Sequence, residues 1–352
     1  MDGAPPKFCD RAKGLSRYSS RAVRHSLRSR PVFRQASRPP TPADTNAIPT
    51  ERIVKWTGAG NVKGSERYFV SAEHFTKNLA FGGRLPRHDR LLAQNFVTQE
   101  FAAWAGPKLF FTKEPPMYMA AESVRGLAHP ELRPWLFRYD DPEPERRMYF
   151  TALPENLNDV AASLEATKDG KRPCFCCLVN RFAPDRGEGL LGERLRFVRA
   201  AAGLIDLYGR SGPGGWNVFP NYRGPTKDKL ATLKQYTFTL AFENSDIDGY
   251  VTEKIFHALA CGSVPLYWGG GAYAAEMLPS GAYVECRGQE PGAVYERLRR
   301  MTLDEIVAYR EAAIRFLSSS AARKFTWRAW AEAVLARFTE QESAAAGPLL
   351  VR

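Results

Sequence analysis

The sequence predicts an α/β protein built around a largely parallel sheet. The chain has 352 residues, of which 44% are hydrophobic, so it is long enough for two domains with buried cores. In the C-terminal half, short apolar segments alternate with segments of helical periodicity. Polar or glycine residues follow the apolar segments, as is typical of parallel strands whose carboxyl ends border a ligand-binding crevice.

The C-terminal half contains the clearest elements. Gly262 follows an apolar helical segment, at the position where glycine commonly ends a helix. Strands that alternate with helices in this way predict a parallel sheet. The predicted strands are 175–179, 204–208, 237–242 and 263–268, and the predicted helices are 193–202, 230–235 and 253–260.

The preceding part of the chain predicts a second α/β unit. Asn156 or Asn158 is a suitable N-cap for a helix that follows. The predicted strands are 68–71 and 109–112, the predicted helices are 90–105 and 156–168, and the Pro- and charge-rich segment 130–145 is predicted as loop. Together these patterns divide the chain into a basic arm (1–50), an N-terminal α/β domain (51–170), a C-terminal α/β domain (171–325) and a C-terminal helix and tail (326–352).

Residues 1–50 carry ten basic and three acidic residues and therefore supply +7 of the formal charge of +12. They are poor in large apolar residues, so we expect a largely disordered arm. Arg17, Arg21, Arg24 and Arg28 could share one helical face that suits an anionic membrane surface, and the composition also resembles a transit peptide. A solvated tail or an upstream start codon is the simpler interpretation. The remainder is only mildly basic, so nucleic acid is not an expected partner.

Neither a transmembrane helix nor a signal peptide is predicted, because the sequence has no run of about 18 apolar residues and no apolar N-terminal core. We therefore expect a cytoplasmic or peripheral membrane location, and a Golgi-type location only with an anchor outside this chain. Cys174, Cys176 and Cys177 lack the paired spacing of a zinc site, and no histidine is near them. They are predicted to be small residues of a buried strand in a reduced compartment.

An anion site is predicted where the strand ending near Phe242 meets the next helix. Glu243 and Asn244 follow the strand directly. Thr252 is a good N-cap whose hydroxyl could accept from the amide of residue 254 or 255, and Lys254 adds a full positive charge in the first helical turn. Free amides, a helix dipole and a lysine at one point would neutralise a phosphate.

Residues 236–254, YTFTLAFENSDIDGYVTEK, resemble the signature of the α-1,3/1,4-fucosyltransferases, and the continuation IFHALACGSVPLYWGG fits the same family. Residues 222–229 (YRGPTKDK) resemble the segment that precedes this signature. Arg194 and Arg196, followed by the segment 206–209 (DLYG), resemble another segment of these enzymes. The resemblance covers residues 174–271 well and is weaker before residue 170.

This resemblance implies a GT-B fold, in which two Rossmann-like domains face each other across a cleft. The C-terminal domain would bind GDP-β-L-fucose, with Arg194 and Lys254 on the diphosphate. Glu253 would lie near the fucose ring and stabilise the oxocarbenium character of the transition state. The other residues placed at the donor are Asn180, Tyr222, Glu243, Asn244, Tyr250 and Trp268.

Members of the family invert the anomeric centre in one displacement and need no metal or cofactor for the chemistry. A base must then deprotonate the acceptor hydroxyl. Glu114 matches the position of that base, although Lys113 and Pro115 depart from the family's Gly and Asn, and Glu73 is the alternative. Thr237 replaces a lysine that the family often has, so one positive charge is missing or comes from Arg223 or Lys227.

The expected reaction is the transfer of L-fucose from GDP-fucose to a glycan hydroxyl, in α-1,3 or α-1,4 linkage, with N-acetylglucosamine as the expected acceptor. The alternative is a non-catalytic nucleotide-sugar or glycan-binding protein on the same fold, which the departures around Glu114 keep open. Asp246 and Asp248 form a D-x-D triplet of the kind that binds a metal in other glycosyltransferases. They lie in the variable loop of the signature, so a metal role is not expected.

Overall fold

The computed structural model describes residues 54–57, 67–69, 90–94, 106–112, 115, 136–182, 190–201 and 203–346. A first sheet, from the N-terminal part of the chain, has the strand order β2-β1-β3-β4-β5. Only the β1–β2 pair is antiparallel. Its strands are β1 (Val54–Thr57), β2 (Arg67–Phe69), β3 (Arg90–Gln94), β4 (Lys108–Phe111) and β5 (Leu136–Phe137).

One expectation for this region is wrong. Residues 90–105 are predicted as a helix, but residues 90–94 form strand β3, which pairs in parallel with β1 on one side and β4 on the other. The backbone hydrogen bonds of two neighbouring strands outweigh a local helical preference, which is a weak determinant on its own. The strands predicted at 68–71 and 109–112 are confirmed within a residue or two.

A second, wholly parallel sheet comes from the C-terminal part of the chain and has the order β11-β10-β9-β6-β7-β8. Each strand predicted there is present with bounds shifted by one or two residues. Strand β8 and strand β11 were not predicted. The strands are β6 (Cys174–Val179), β7 (Ile205–Tyr208), β8 (Tyr222–Gly224), β9 (Tyr236–Leu240), β10 (Val264–Tyr267) and β11 (Val284–Glu285).

The helices predicted at 156–168, 193–202, 230–235 and 253–260 are present, whereas the helices α5 to α8 were not predicted. Asn156 is the N-cap of the first helix, but its side chain donates to Asp159 instead of capping the backbone. Gly262 has φ +66° and follows its helix as predicted. The helices are α1 (Leu157–Glu165), α2 (Leu191–Ala200), α3 (Lys229–Leu233), α4 (Glu253–Ala260), α5 (Ala274–Met277), α6 (Pro291–Arg300), α7 (Leu303–Leu317), α8 (Ser320–Arg323) and α9 (Trp327–Ala346).

Two separate, mainly parallel sheets, the second with helices between its strands, confirm the predicted α/β class of the GT-B type. The prediction that the clustered cysteines belong to a buried strand is also confirmed, since Cys174, Cys176 and Cys177 lie on β6 and are at most 2% exposed. Burial raises the pKa of the Cys176 and Cys177 thiols. Within the described part of the chain, no helix has the length and apolarity that a bilayer crossing requires.

The last helix of the chain returns to the first sheet. The buried face of α9 includes Trp330, Val334 and Phe338, which form one cluster with Leu109 and Phe111 of β4. The ring of Trp330 lies edge-on to Phe111, with 5.0 Å between the ring centroids. The aromatic side chains of Trp330 and Phe338 therefore form a packing face of α9 against the first sheet.

Replacing Trp330 by alanine should lower the free energy of unfolding by about 3 to 5 kcal/mol, because a 2% exposed aromatic ring would leave a cavity between α9 and β4. Trp327 of the same helix is 39% exposed and is the matched control. Chemical denaturation followed by circular dichroism measures both variants. A loss for Trp327→Ala as large as for Trp330→Ala would contradict the packing described here.

Candidate active site

A pocket opens at the carboxyl ends of the two central strands of the second sheet, β6 and β9. The chain passes from β6 to β7 and β8 on one side of this point and continues with β9, β10 and β11 on the other. Such a reversal of strand order is where open α/β sheets bind ligands. The pocket is lined by residues 178–180, residues 239–242 and the side chains of Lys229, Leu233 and Lys254.

The carboxylate of Glu243 organises the strand–loop–helix segment beside this pocket. Glu243 is 0% exposed. Its Oε1 accepts from the amide of Thr252 at 2.7 Å, and its Oε2 accepts from the Thr252 hydroxyl at 2.6 Å and from Lys254 Nζ at 2.9 Å. A buried carboxylate with charge-assisted bonds of this kind joins the end of β9 to the start of α4.

Thr252 is the N-cap of α4, as predicted, but its hydroxyl does not cap the helix. The expected bond to the amide of residue 254 or 255 is absent, because the hydroxyl donates to Glu243 and accepts from Lys254 Nζ at 2.7 Å. The hydroxyl oxygen accepts from the Lys254 ammonium instead of a backbone amide, because a charged donor makes the stronger hydrogen bond. The predicted cap bond is thus replaced by a bond that holds Lys254.

Lys254 and Glu253 begin α4 with different environments. The Lys254 side chain is 14% exposed and borders the pocket, whereas the Glu253 side chain is 43% exposed. Glu253 Oε1 lies 3.9 Å from Lys254 Nζ and 3.5 Å from Lys229 Nζ. Burial raises the pKa of Glu253, but the neighbouring charges of Lys254 and Lys229 outweigh it and hold that pKa well below its usual range. Glu253 is therefore ionised at neutral pH.

Arg194 and Asn244 meet at the end of β9. Arg194 projects from α2, is 4% exposed, and donates through one terminal nitrogen to the carbonyl of Phe242 at 2.6 Å and to Asn244 Oδ1 at 3.0 Å. The amide of Leu190 donates to the Asn244 carbonyl. Helix α2 is thereby attached to the strand end that borders the pocket, and the structure brings Arg194, Asn244 and Glu243 into one small region.

Asn180 lines the pocket, but Tyr222, Tyr250 and Trp268 are engaged elsewhere. Tyr222 donates to the carbonyl of Gly209 at 2.8 Å, and the Trp268 indole donates to Asp246 at 3.0 Å. Tyr250 is 2% exposed and packs between Tyr139 and Phe150, with 5.4 Å between ring centroids in each pair. These three side chains contact protein groups rather than the pocket.

The two aspartates of the D-x-D triplet hold the loop after β10. Asp246 accepts from the amide of Gly271 and forms an ion pair with Arg287, and Asp248 accepts from the amide of Ala272 at 2.7 Å. Among the described residues, no group of three or more His, Cys, Asp or Glu side chains is arranged to hold a metal ion. Both carboxylates have a structural role in this loop.

Neither candidate base can be placed relative to the pocket. Glu114 and Glu73 lie outside the described residues, as do Lys113 and the basic arm 1–50. The assignment of the base therefore stays a prediction.

A buried polar network beside the pocket was not predicted. Asp206 is 6% exposed, accepts from Arg223 at 2.8 Å, and also accepts from the Tyr236 hydroxyl at 2.7 Å. The Tyr208 and Tyr236 hydroxyls are 2.9 Å apart. The only sequence signal was that these residues fall in segments resembling the family; their pairing depends on the adjacent positions of β7, β8 and β9. The network occupies Arg223, one of the two cations proposed to replace the lysine at residue 237.

The residues that form this pocket also fall within a region that matches a known protein family. The sequence model of glycosyltransferase family 10 (fucosyltransferase) C-term matches residues 176–311, which include most of β6, all of β9 and α4, and the residues that line the pocket. This region is therefore similar to glycosyltransferase family 10. The suspected resemblance to fucosyltransferases is confirmed, and the family 10 region contains Arg194, Asn244 and Lys254.

The relatives of the family 10 region include the alpha-(1,3)-fucosyltransferase FucT of Helicobacter pylori, 26% identical over 293 residues that cover 72% of this chain and 56% of that protein. An alpha-(1,4)-fucosyltransferase of Arabidopsis thaliana is 37% identical over 78 residues, or 18% of this chain and 20% of that protein. The chain thus spans about half the length of the Helicobacter relative. A crystal structure of alpha1,3-fucosyltransferase with GDP-fucose has 15% identity and a TM-score of 0.41, covering 72% of this chain and 78% of that one.

Glu243→Gln should lower the free energy of unfolding by about 3 kcal/mol, because it leaves the ammonium of Lys254 without its buried carboxylate. Glu296, which pairs with Arg299 on the surface and is 56% exposed, is the control. Glu296→Gln should change stability by less than about 1 kcal/mol. Urea denaturation of the three proteins tests this, and equal midpoints for both variants would refute the role of Glu243.

His257 should make stability depend on pH. Burial and the charge of Lys229 lower its pKa from 6.5 to about 4, although Glu253 opposes this, and its Nδ1 is buried without a partner. Between these two values the unfolded chain binds a proton that the folded protein does not, so stability falls as pH decreases from 6.5 to 4. His257→Gln should reduce the loss of melting temperature between pH 7 and pH 5, because the variant lacks the imidazole that takes up about one proton on unfolding. An equal loss of melting temperature in the variant and the wild type would contradict this role of His257.

Proposed function

We propose that this protein transfers L-fucose from GDP-β-L-fucose to a hydroxyl of a glycan. The observation that carries the proposal is the pocket at the switch point between β6 and β9, bordered by Lys254 within the region matched by the family 10 model. A lysine beside a helix N-terminus at the carboxyl edge of a parallel sheet is suited to an anionic nucleotide ligand.

The donor's diphosphate would lie against Lys254 and Arg194. Glu243 and Thr252 already hold the Lys254 ammonium in a fixed position, and Phe242 and Asn244 hold the Arg194 guanidinium. Cationic groups fixed before the ligand arrives stabilise developing negative charge on a leaving group without reorganisation. This is the support required for the departure of GDP.

Glu253 would stabilise the sugar rather than move a proton. Its carboxylate stays ionised because Lys254 and Lys229 lower its pKa. A permanently negative group near the anomeric carbon favours oxocarbenium character. The proton of the acceptor hydroxyl must then go to a different base, for which Glu114, or alternatively Glu73, is proposed, with inversion in one displacement.

The proposed acceptor is an N-acetylglucosamine-containing glycan, and the proposed linkage is α-1,3 or α-1,4. The chemistry is proposed to need no metal or other cofactor. The bonds that Asp246 and Asp248 make to Gly271, Ala272 and Arg287 support this, because they engage the two carboxylates that would otherwise be candidates for a metal bound with the diphosphate.

Lys254→Ala should reduce transfer of labelled fucose to a glycan array at least about 100-fold, since it removes a charge from the leaving-group side. Lys171, an exposed lysine before β6, is the control, and Lys171→Ala should keep full activity. GDP-fucose should also raise the melting temperature of the wild-type protein, and GDP should raise it less.

Two outcomes would overturn the proposal in different ways. Absence of any thermal shift with GDP or GDP-fucose would refute the donor. Binding of GDP-fucose without transfer to any glycan, unchanged by Glu114→Gln and Glu73→Gln, would instead identify a non-catalytic nucleotide-sugar-binding protein on the same fold.

A further inference from the structure

We propose that Lys229 is a further cation for the anionic part of the nucleotide, in addition to Lys254 and Arg194, and lines the same pocket as Lys254. The inference rests on the proposed function, since it concerns the same nucleotide site. Lys229 lies outside the signature segment 236–254, on helix α3.

The geometry places the two ammonium groups around a single anionic oxygen. Lys229 Nζ lies 3.5 Å and Lys254 Nζ lies 3.9 Å from the same atom, Oε1 of Glu253. Both lysines line the pocket. The two ammonium groups therefore converge on one carboxylate oxygen, which shows that both can approach a single anionic group at the pocket edge.

Lys229 is held at the pocket edge by a well-anchored turn of helix. Asp228 caps α3 by accepting from the amide of Ala231 at 2.9 Å, and the hydroxyls of Thr226 and Thr232 are 2.6 Å apart. Leu233, one turn after Lys229, is 0% exposed and packs with Tyr236. The Lys229 side chain is 28% exposed, so its charge is accessible from a fixed backbone.

The charge balance of the pocket supports a further cation. Lys254 is bonded to the carboxylate of Glu243, and Glu253 adds another negative charge nearby. The carboxylates of Glu243 and Glu253 offset the charges of Lys254 and Arg194, so Lys229 supplies the net positive charge that favours a diphosphate. His257 does not contribute, because burial and the adjacent lysines lower its pKa to about 4.

Other basic residues near the segment are less suitable. The guanidinium of Arg223 is paired with Asp206, and Lys227 is exposed and is not among the residues that line the pocket. Lys229 therefore supplies the positive charge that the sequence lacks at Thr237.

The experiment measures binding of GDP and of guanosine to the full chain by isothermal titration calorimetry. Lys229→Met should weaken GDP binding about tenfold or more and leave guanosine binding unchanged, because one charge-assisted contact to phosphate is lost. Lys229→Arg should keep most of the affinity. Lys234→Met, a matched loss of charge from an exposed lysine one turn further on, should leave both affinities unchanged.

A structural role through Glu253 is tested by repeating Lys229→Met in a Glu253→Gln background. A direct contact predicts that GDP binding still weakens there, whereas no further loss would overturn the contact and leave Lys229 as a positioning residue for Glu253. Two results for the single variant Lys229→Met would also overturn the proposal: an equal loss of affinity for GDP and for guanosine, or an affinity for GDP equal to that of the wild type. Absence of GDP binding by the wild-type protein would refute the proposed function and the inference with it.

Discussion

The buried carboxylate of Glu243 is the interaction on which the site depends. It lies at the end of β9 and bonds the backbone and hydroxyl of Thr252 and the ammonium of Lys254. A charged group with 0% exposure is tolerated only when its lone pairs are satisfied, and here they are satisfied by the first residues of α4. The bonds that Glu243 accepts from Thr252 and Lys254 therefore fix the start of α4 and the position of the Lys254 ammonium.

The same segment is connected to the first sheet by packing. Gly249 has φ +71°, and a Cβ there would lie 1.9 Å from the carbonyl oxygen of Tyr139, so glycine is required by both conformation and space. Tyr250 then enters the aromatic cluster that also contains Phe111 and Trp330. The segment between β9 and α4 thus contacts both the pocket at the ends of β6 and β9 and the N-terminal part of the chain, and Tyr250 has a packing role.

The charges around the pocket are close to balanced, and each is restrained. Glu253 is ionised because two lysines flank it, and the low pKa of His257 keeps that residue neutral near pH 7. A site of this kind changes little in protonation as a ligand arrives, so binding energy is available for the ligand's own charge. The lowered pKa of Glu253 also makes this carboxylate a poor proton acceptor. The proposed reaction would therefore need a different residue as its base.

Local pattern in the sequence determined most of the second sheet. Apolar strands that alternate with helices, Gly262 after α4 and the segment from Tyr236 to Lys254 all depend on neighbours within a few residues. Lys254 and Asn244 could be named from the local pattern, whereas Arg194 was named only through the resemblance to the family's segments. Short-range periodicity and turn chemistry are the properties that a single sequence expresses best.

Only the tertiary structure decided the features that join distant residues. Residues 90–94 form a strand because β1 and β4 flank them, and the Thr252 hydroxyl leaves its own helix because Glu243 is folded against it. Lys229 reaches Glu253 across 24 positions of sequence. Hydrogen bonds and charge pairs between separate elements have no local signature. The sequence therefore identified the candidate segment 236–254, and the fold decided which side chains pair with its charged groups.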